Sequence, residues 1–128
     1  MRNMVVVHFA DGRILKGFAL DFFPNKTSFH LEREASGESI EVEIANLKGV
    51  FFVKTFRGDA SATRRKDVER AGMGRKIRIE FQDGETMVGY TSGYTPARTG
   101  FFAFPVDPDD NNEKVFVITA ATRSVEFV

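Results

Sequence analysis

Nine of the 25 residues from Lys54 to Arg78 are basic and three are acidic. Arginine is the informative part of this run, because its planar fork of N–H donors matches a phosphate or carboxylate and binds it in bidentate fashion. Arg57, Arg64, Arg65, Lys66 and Arg70 are therefore candidate contacts for an anionic partner, either nucleic acid or an acidic protein surface. The whole chain carries 18 basic and 18 acidic side chains, so any attraction to nucleic acid has to be local to this stretch. The bland alternative is a solvated segment that complements residues 79–128, which hold three basic and eight acidic residues.

The remaining reactive side chains assemble into nothing catalytic. Asp11 and Asp83 each precede a glycine, at the second position of expected hairpin turns, where a short carboxylate shapes the backbone. His8 and His30 are the two histidines, and neither neighbours a serine in a recognisable nucleophile context. The run from Asp107 to Glu113, DPDDNNE, lacks the length and the glycine of a calcium loop and reads as a solvated acidic loop. With no cysteine there is no disulfide framework, thiolate metal site or thiol nucleophile. No metal site, no cofactor and no enzymatic activity are expected, because no acid, base and nucleophile converge.

These side chains have to be positioned by short strands. Met4–Phe9 is a β-branched run closed by Asp11-Gly12, and residues 13–22 resume as a strand bent at Gly17. Residues 27–34 alternate, with Phe29 and Leu31 on one face, and Ile40, Val42 and Ile44 alternate against Glu41 and Glu43. Residues 47–56 form a nearly continuous apolar strand. Five strands at about ten-residue spacing with glycine-bearing turns point to a small barrel or sandwich.

The same text then returns. Residues 9–29, FADGRILKGFALDFFPNKTSF, align without a gap on residues 81–101, FQDGETMVGYTSGYTPARTGF. Seven of the 21 positions are identical, among them Gly17/Gly89, Pro24/Pro96 and Phe29/Phe101, and Lys26/Arg98 keeps its charge. Chance would give about one or two identities. After a three-residue insertion the match resumes, pairing Ile40, Val42, Val50 and Phe52 with Val115, Val117, Val125 and Phe127. Each copy is near the lower size limit for a unit that buries enough surface alone, so the 14 phenylalanines are expected to form an interface between the copies. Between them, residues 60–71 are compatible with a short helix, Ser61 capping it and Gly72 ending it.

In the first copy, Gly12, Gly17, Asp21 and Asn25, followed by Phe29 and Leu31, resemble the first signature of Sm-like domains, and Leu47-Lys48-Gly49-Val50 resembles the second. That resemblance implies five-stranded SH3-like barrels, assembly into rings, and an RNA site at Asp21, Asn25, Lys48 and Gly49. The second copy departs from it, with Gly93 and Ala97 at the Asp21 and Asn25 positions and Arg123-Ser124 at Lys48-Gly49. Over its full length the chain also resembles a family of uncharacterised bacterial proteins that occur alone or beside signalling domains.

The resulting expectation is an all-β protein of two tandem Sm/SH3-like small β-barrels: 1–57 the first barrel, 58–74 a basic linker with a short helix, and 75–128 the second barrel. Its expected role is a non-enzymatic interaction or ligand-binding module in bacterial signalling or regulation, cytoplasmic and without a membrane span. A protein partner or self-association is the first expectation. The alternative is an RNA- or nucleotide-binding protein that uses Asn25, Lys48 and the basic linker residues.

Overall fold

The computed structural model describes residues 3–57 and 72–128, which form ten strands and two single 3-10 turns. The first half holds β1 (Asn3–Phe9), β2 (Ile14–Ala19), β3 (Ser28–Arg33), β4 (Ser39–Glu43) and β5 (Leu47–Val53). The second holds β6 (Arg75–Phe81), β7 (Thr86–Thr91), β8 (Gly100–Pro105), β9 (Asn112–Ile118) and β10 (Thr122–Phe127). Among the described residues there is no α-helix. The helix expected over residues 60–71 lies outside them.

Each expected hairpin forms by the same chemistry. The Gly12 amide donates to the Phe9 carbonyl at 3.0 Å and Gly84 to Phe81 at 2.9 Å, and both glycines have positive φ, 98° and 93°. The aspartate is thus the third residue of the turn, one place later than expected. Its carboxylate caps the amide two residues on, Asp11 to Arg13 at 3.0 Å and Asp83 to Glu85 at 2.9 Å.

Both halves are wired alike. In the first the strand order is β5-β1-β2-β3-β4, and in the second β10-β6-β7-β8-β9. Registers coincide too: Val5 faces Phe52 and Ile77 faces Phe127, while Phe29 faces Val42 and Phe101 faces Val117. Even the irregularity recurs, between His8 and Phe9 against β5 and between Thr122 and Ser124 against β6. The repeat in the sequence is therefore a repeat of fold.

The expectation of two closed barrels is corrected. All ten strands make one open antiparallel sheet, in the order β10-β6-β7-β8-β9-β5-β1-β2-β3-β4. The halves meet where β5 pairs with β9, Val50 opposite Phe116 and Phe51 opposite Val115. The physical cause is that both strands are apolar on both faces, so each needs cover on two sides. Val50 and Phe52 face the first core, which Phe116 and Ile118 of β9 complete. Phe51 and Val53 face the second core, alongside Val115 and Val117. Phe22, Phe52, Phe102 and Phe116 interlock across the seam edge-to-face or tilted, with ring centroids 5.1–6.3 Å apart. The expected aromatic interface exists, but it is a shared pair of cores rather than contact between two finished bodies.

Candidate functional site

The β2–β3 loop and its copy, the β7–β8 loop, are built alike. Lys26 donates its amide to the Phe23 carbonyl at 3.1 Å, and Arg98 donates to Thr95 at 3.2 Å. Thr27 then accepts from the Ile44 amide and Thr99 from the Thr119 amide, both at 2.9 Å. Each loop is thereby pinned to the 3-10 turn of its own half, Ile44–Asn46 or Thr119–Ala121.

Because the halves are joined through β5 and β9, the two loops come together. Asn25, Lys26 and Thr27 line one side of a groove of about 820 Å³, and Ala97, Arg98 and Thr99 line the other, with Glu43 and Ile44 also on its walls. Lys26 and Arg98 are the only basic pair kept between the aligned 21-residue segments. The groove thus offers two cations, an amide and two hydroxyls on exposed loops.

The two cations differ in their neighbours. Lys26 lies 3.6 Å from the Asp21 carboxylate and over the Phe23 ring at 5.5 Å. Asp21 is itself held by His30, whose backbone amide donates at 2.6 Å and whose Nδ1 lies at 2.9 Å. That backbone hydrogen bond and then the ring draw the Asp21 carboxyl down to about 2. The position equivalent to Asp21 is Gly93, and Arg98 has no ion-pair partner among the described residues. Its guanidinium fork is therefore open to an anion on the groove wall.

The residues expected from sequence are scattered. Asn25 is on the groove. Arg57 is exposed just past β5, away from it. Arg64, Arg65, Lys66 and Arg70 lie outside the described residues. Lys48, on β5, is turned toward the second half: its ammonium donates to Asp83 Oδ2 at 2.7 Å and to Glu85 Oε1 at 2.5 Å, over the Phe81 ring at 4.7 Å. Burial alone would lower its pKa, but these carboxylates outweigh that and raise it. The charge of Lys48 is met within the chain, in the seam rather than in the groove. His8 lies tilted against Phe51 with ring centroids 4.3 Å apart, and burial, then Lys48, push its pKa down.

The acidic loop is docked rather than solvated, another departure from expectation. Asn111 bonds Thr55 at both backbone and hydroxyl, and Lys54 Nζ donates to the Pro108 carbonyl at 2.7 Å. Asp107, 5 % exposed, and Asp110 cap amides of their own loop. Among the described residues no group of acidic or histidine side chains is placed to hold a metal ion.

Lys26 and Arg98 were the residues that sequence reasoning passed over. Their signal was charge retained within a repeat that otherwise kept mostly backbone-shaping positions. Comparison with curated proteins returns no match, and no solved structure matches the chain. The family model that does match covers residues 1–128, and the chain belongs to that family, the family of unknown function DUF6982.

Proposed function

We propose that the protein is a non-enzymatic ligand-binding module and that the groove between the duplicated loops is its binding site, for a ligand bearing phosphate or a comparable anion. One observation carries this reading: two copies of one loop converge on a single groove and present Lys26 and Arg98 to it. Arginine's fork suits a phosphate oxygen pair, lysine supplies a second point charge, and Asn25 with Thr27 and Thr99 adds neutral hydrogen bonds. The resemblance of the first repeat to an Sm-like signature supports an RNA or nucleotide as the ligand, since Asn25 matches a residue of that family's RNA site. A role in bacterial signalling or regulation is compatible with a module of this kind.

The test is a titration of fluorescent single-stranded RNA, single-stranded DNA and a mononucleotide at several salt concentrations. Two phosphate contacts on a single strand predict about a sevenfold loss of affinity from 50 to 200 mM salt. Lys26→Ala with Arg98→Ala should flatten that dependence and weaken binding. A variant with alanine at Arg64, Arg65, Lys66 and Arg70 separates the groove from the basic linker. No binding of any probe at low salt would end the anion reading; binding lost only in the linker variant would move the site there.

A further inference from the structure

The repeat makes the seam between the halves a pattern for a second seam. β5 pairs with β9, which is the second half's counterpart of β4; β10 is the counterpart of β5. Among the described residues β4 and β10 are the two outer edges of the sheet. A second copy laid head-to-tail would pair its β4 with β10 in the same antiparallel way, and such a contact does not close on itself but repeats. Transposing the observed register sets Val125 opposite Glu41, Glu126 opposite Ile40 and Ser124 opposite Val42.

The side chains at that second seam are the wrong ones. In the internal seam β9 inserts Phe116 and Ile118 into the first core. Their counterparts on β4 are Glu41 and Glu43, both exposed. Phe51, which β5 contributes to the second core, is matched on β10 by Glu126. The polar part of the seam loses one of its two carboxylates to a cation as well. Lys48 meets Asp83 and Glu85, whereas Arg123 of one copy would meet Asp11 and Arg13 of the next. Pairing the free backbones would therefore seat carboxylates against apolar cores and one guanidinium against another. Taking these charges out of water outweighs the ladder hydrogen bonds gained, even for Glu126, which Arg78 pairs with on the neighbouring strand.

We infer that the outer edges β4 and β10 retain the backbone of a head-to-tail junction and that Arg13, Glu41, Glu43 and Glu126 block it, so that the partner these edges fit is a copy of this chain with the block removed. Charged side chains on edge strands are a general means of preventing such growth.

The experiment compares the wild type with a variant carrying Arg13→Glu, Glu41→Phe, Glu43→Ile and Glu126→Phe. Sedimentation should show a wild type of constant monomer mass and a variant whose mean mass rises with concentration, by about twofold or more. Register is checked by Ile40→Cys with Glu126→Cys, the latter replacing Glu126→Phe in the variant; these are the only thiols in a chain that has no cysteine of its own. Oxidation should give a ladder of covalent oligomers in the variant background and none in the wild-type background. A folded variant that stays monomeric overturns the inference. So does association without the ladder, or a wild type that already forms it. Should that variant not fold, Arg13→Glu with Glu41→Thr, Glu43→Thr and Glu126→Thr, which removes the same charges at exposed positions, takes its place and is read for the same outcomes.

Discussion

Lys48 of β5 and Asp83 of the β6–β7 hairpin, 35 residues apart, meet at 2.7 Å across the seam that joins the two repeats. The pair is unequal. The lysine side chain is 10 % exposed and the aspartate 53 % exposed, so the ammonium depends on the carboxylates more than they depend on it. Glu85, 47 % exposed, completes the arrangement from the same hairpin. One aspartate thus does two things: Oδ1 shapes its own turn through the Glu85 amide, and Oδ2 fastens that turn to the other half.

This inequality predicts an ordering of variants. Lys48→Met keeps a stem of similar volume against Phe81 and leaves two carboxylates that water can reach, so it should cost within about 1 kcal/mol. Asp83→Asn with Glu85→Gln leaves a buried ammonium without countercharge and should cost about 3 kcal/mol. Urea titrations of the three proteins check this; a larger loss in Lys48→Met than in the double variant would show that the attraction serves the carboxylates.

The same contact gives stability a pH dependence at both ends. The folded-state pKa of Lys48 is raised, so its contribution is whole below the ordinary lysine value of 10.5 and is lost as pH rises through the folded value. The Lys48 hydrogen bond lowers Asp83, whose contribution is present above 3.8 and lost as pH falls. Asp21 belongs with the acid end too: held down to about 2 by the His30 amide first and the ring second, it contributes above 3.8 and loses that contribution as pH falls toward 2. Carbon-detected NMR titration should place the Asp21 midpoint near 2, and Asp21→Asn should flatten that part of the acid limb.

Shared strands should make unfolding a single event. Phe29 and Phe101 are 0 % and 3 % exposed in equivalent places of different cores. Replacing either with alanine should cost about 3–5 kcal/mol. Since β5 and β9 each serve both cores, both variants should move one common calorimetric transition. Two transitions, with each variant shifting only one, would contradict a shared core.

Much of this was legible in the residues. The 72-residue register foretold the equal strand order, because the signal is local and written twice. The unbroken apolar run of β5 already said that this strand is covered on both faces. Its consequence was missed because closing a barrel and pairing with a neighbour require the same apolar strand. What separates them is the contrast between Phe116 and Ile118 on β9 and Glu41 and Glu43 on β4, which has meaning only once the two strands are known to be equivalent. The groove was hidden for a similar reason: Lys26 and Arg98 are 72 positions apart in the chain and share a site only through the seam. The acidic loop looked solvated because composition reports charge but not the backbone carbonyls and amides through which Pro108 and Asn111 dock.

Gly17 and Gly12 separate two reasons for having glycine, and they should respond differently to alanine. A Cβ on Gly17 would run into the backbone carbonyl of Glu32 on the neighbouring strand, and one on Gly89 would lie 2.6 Å from the carbonyl of Phe104. Neither carbonyl can withdraw without disturbing the β2–β3 or β7–β8 pairing, so Gly17→Ala or Gly89→Ala should cost about 2–3 kcal/mol or more. Gly12 has open space around it and a φ of 98°, so its alanine variant meets no atom but adopts a backbone region disfavoured by about 1 kcal/mol. An asparagine at position 12, which tolerates the left-handed region, should recover part of that loss, whereas asparagine at position 17 should be worse than alanine. Thermal melts of the five variants read this directly. Equal losses at 12 and 17, or rescue by asparagine at 17, would show that conformation rather than close approach of backbones requires glycine at 17.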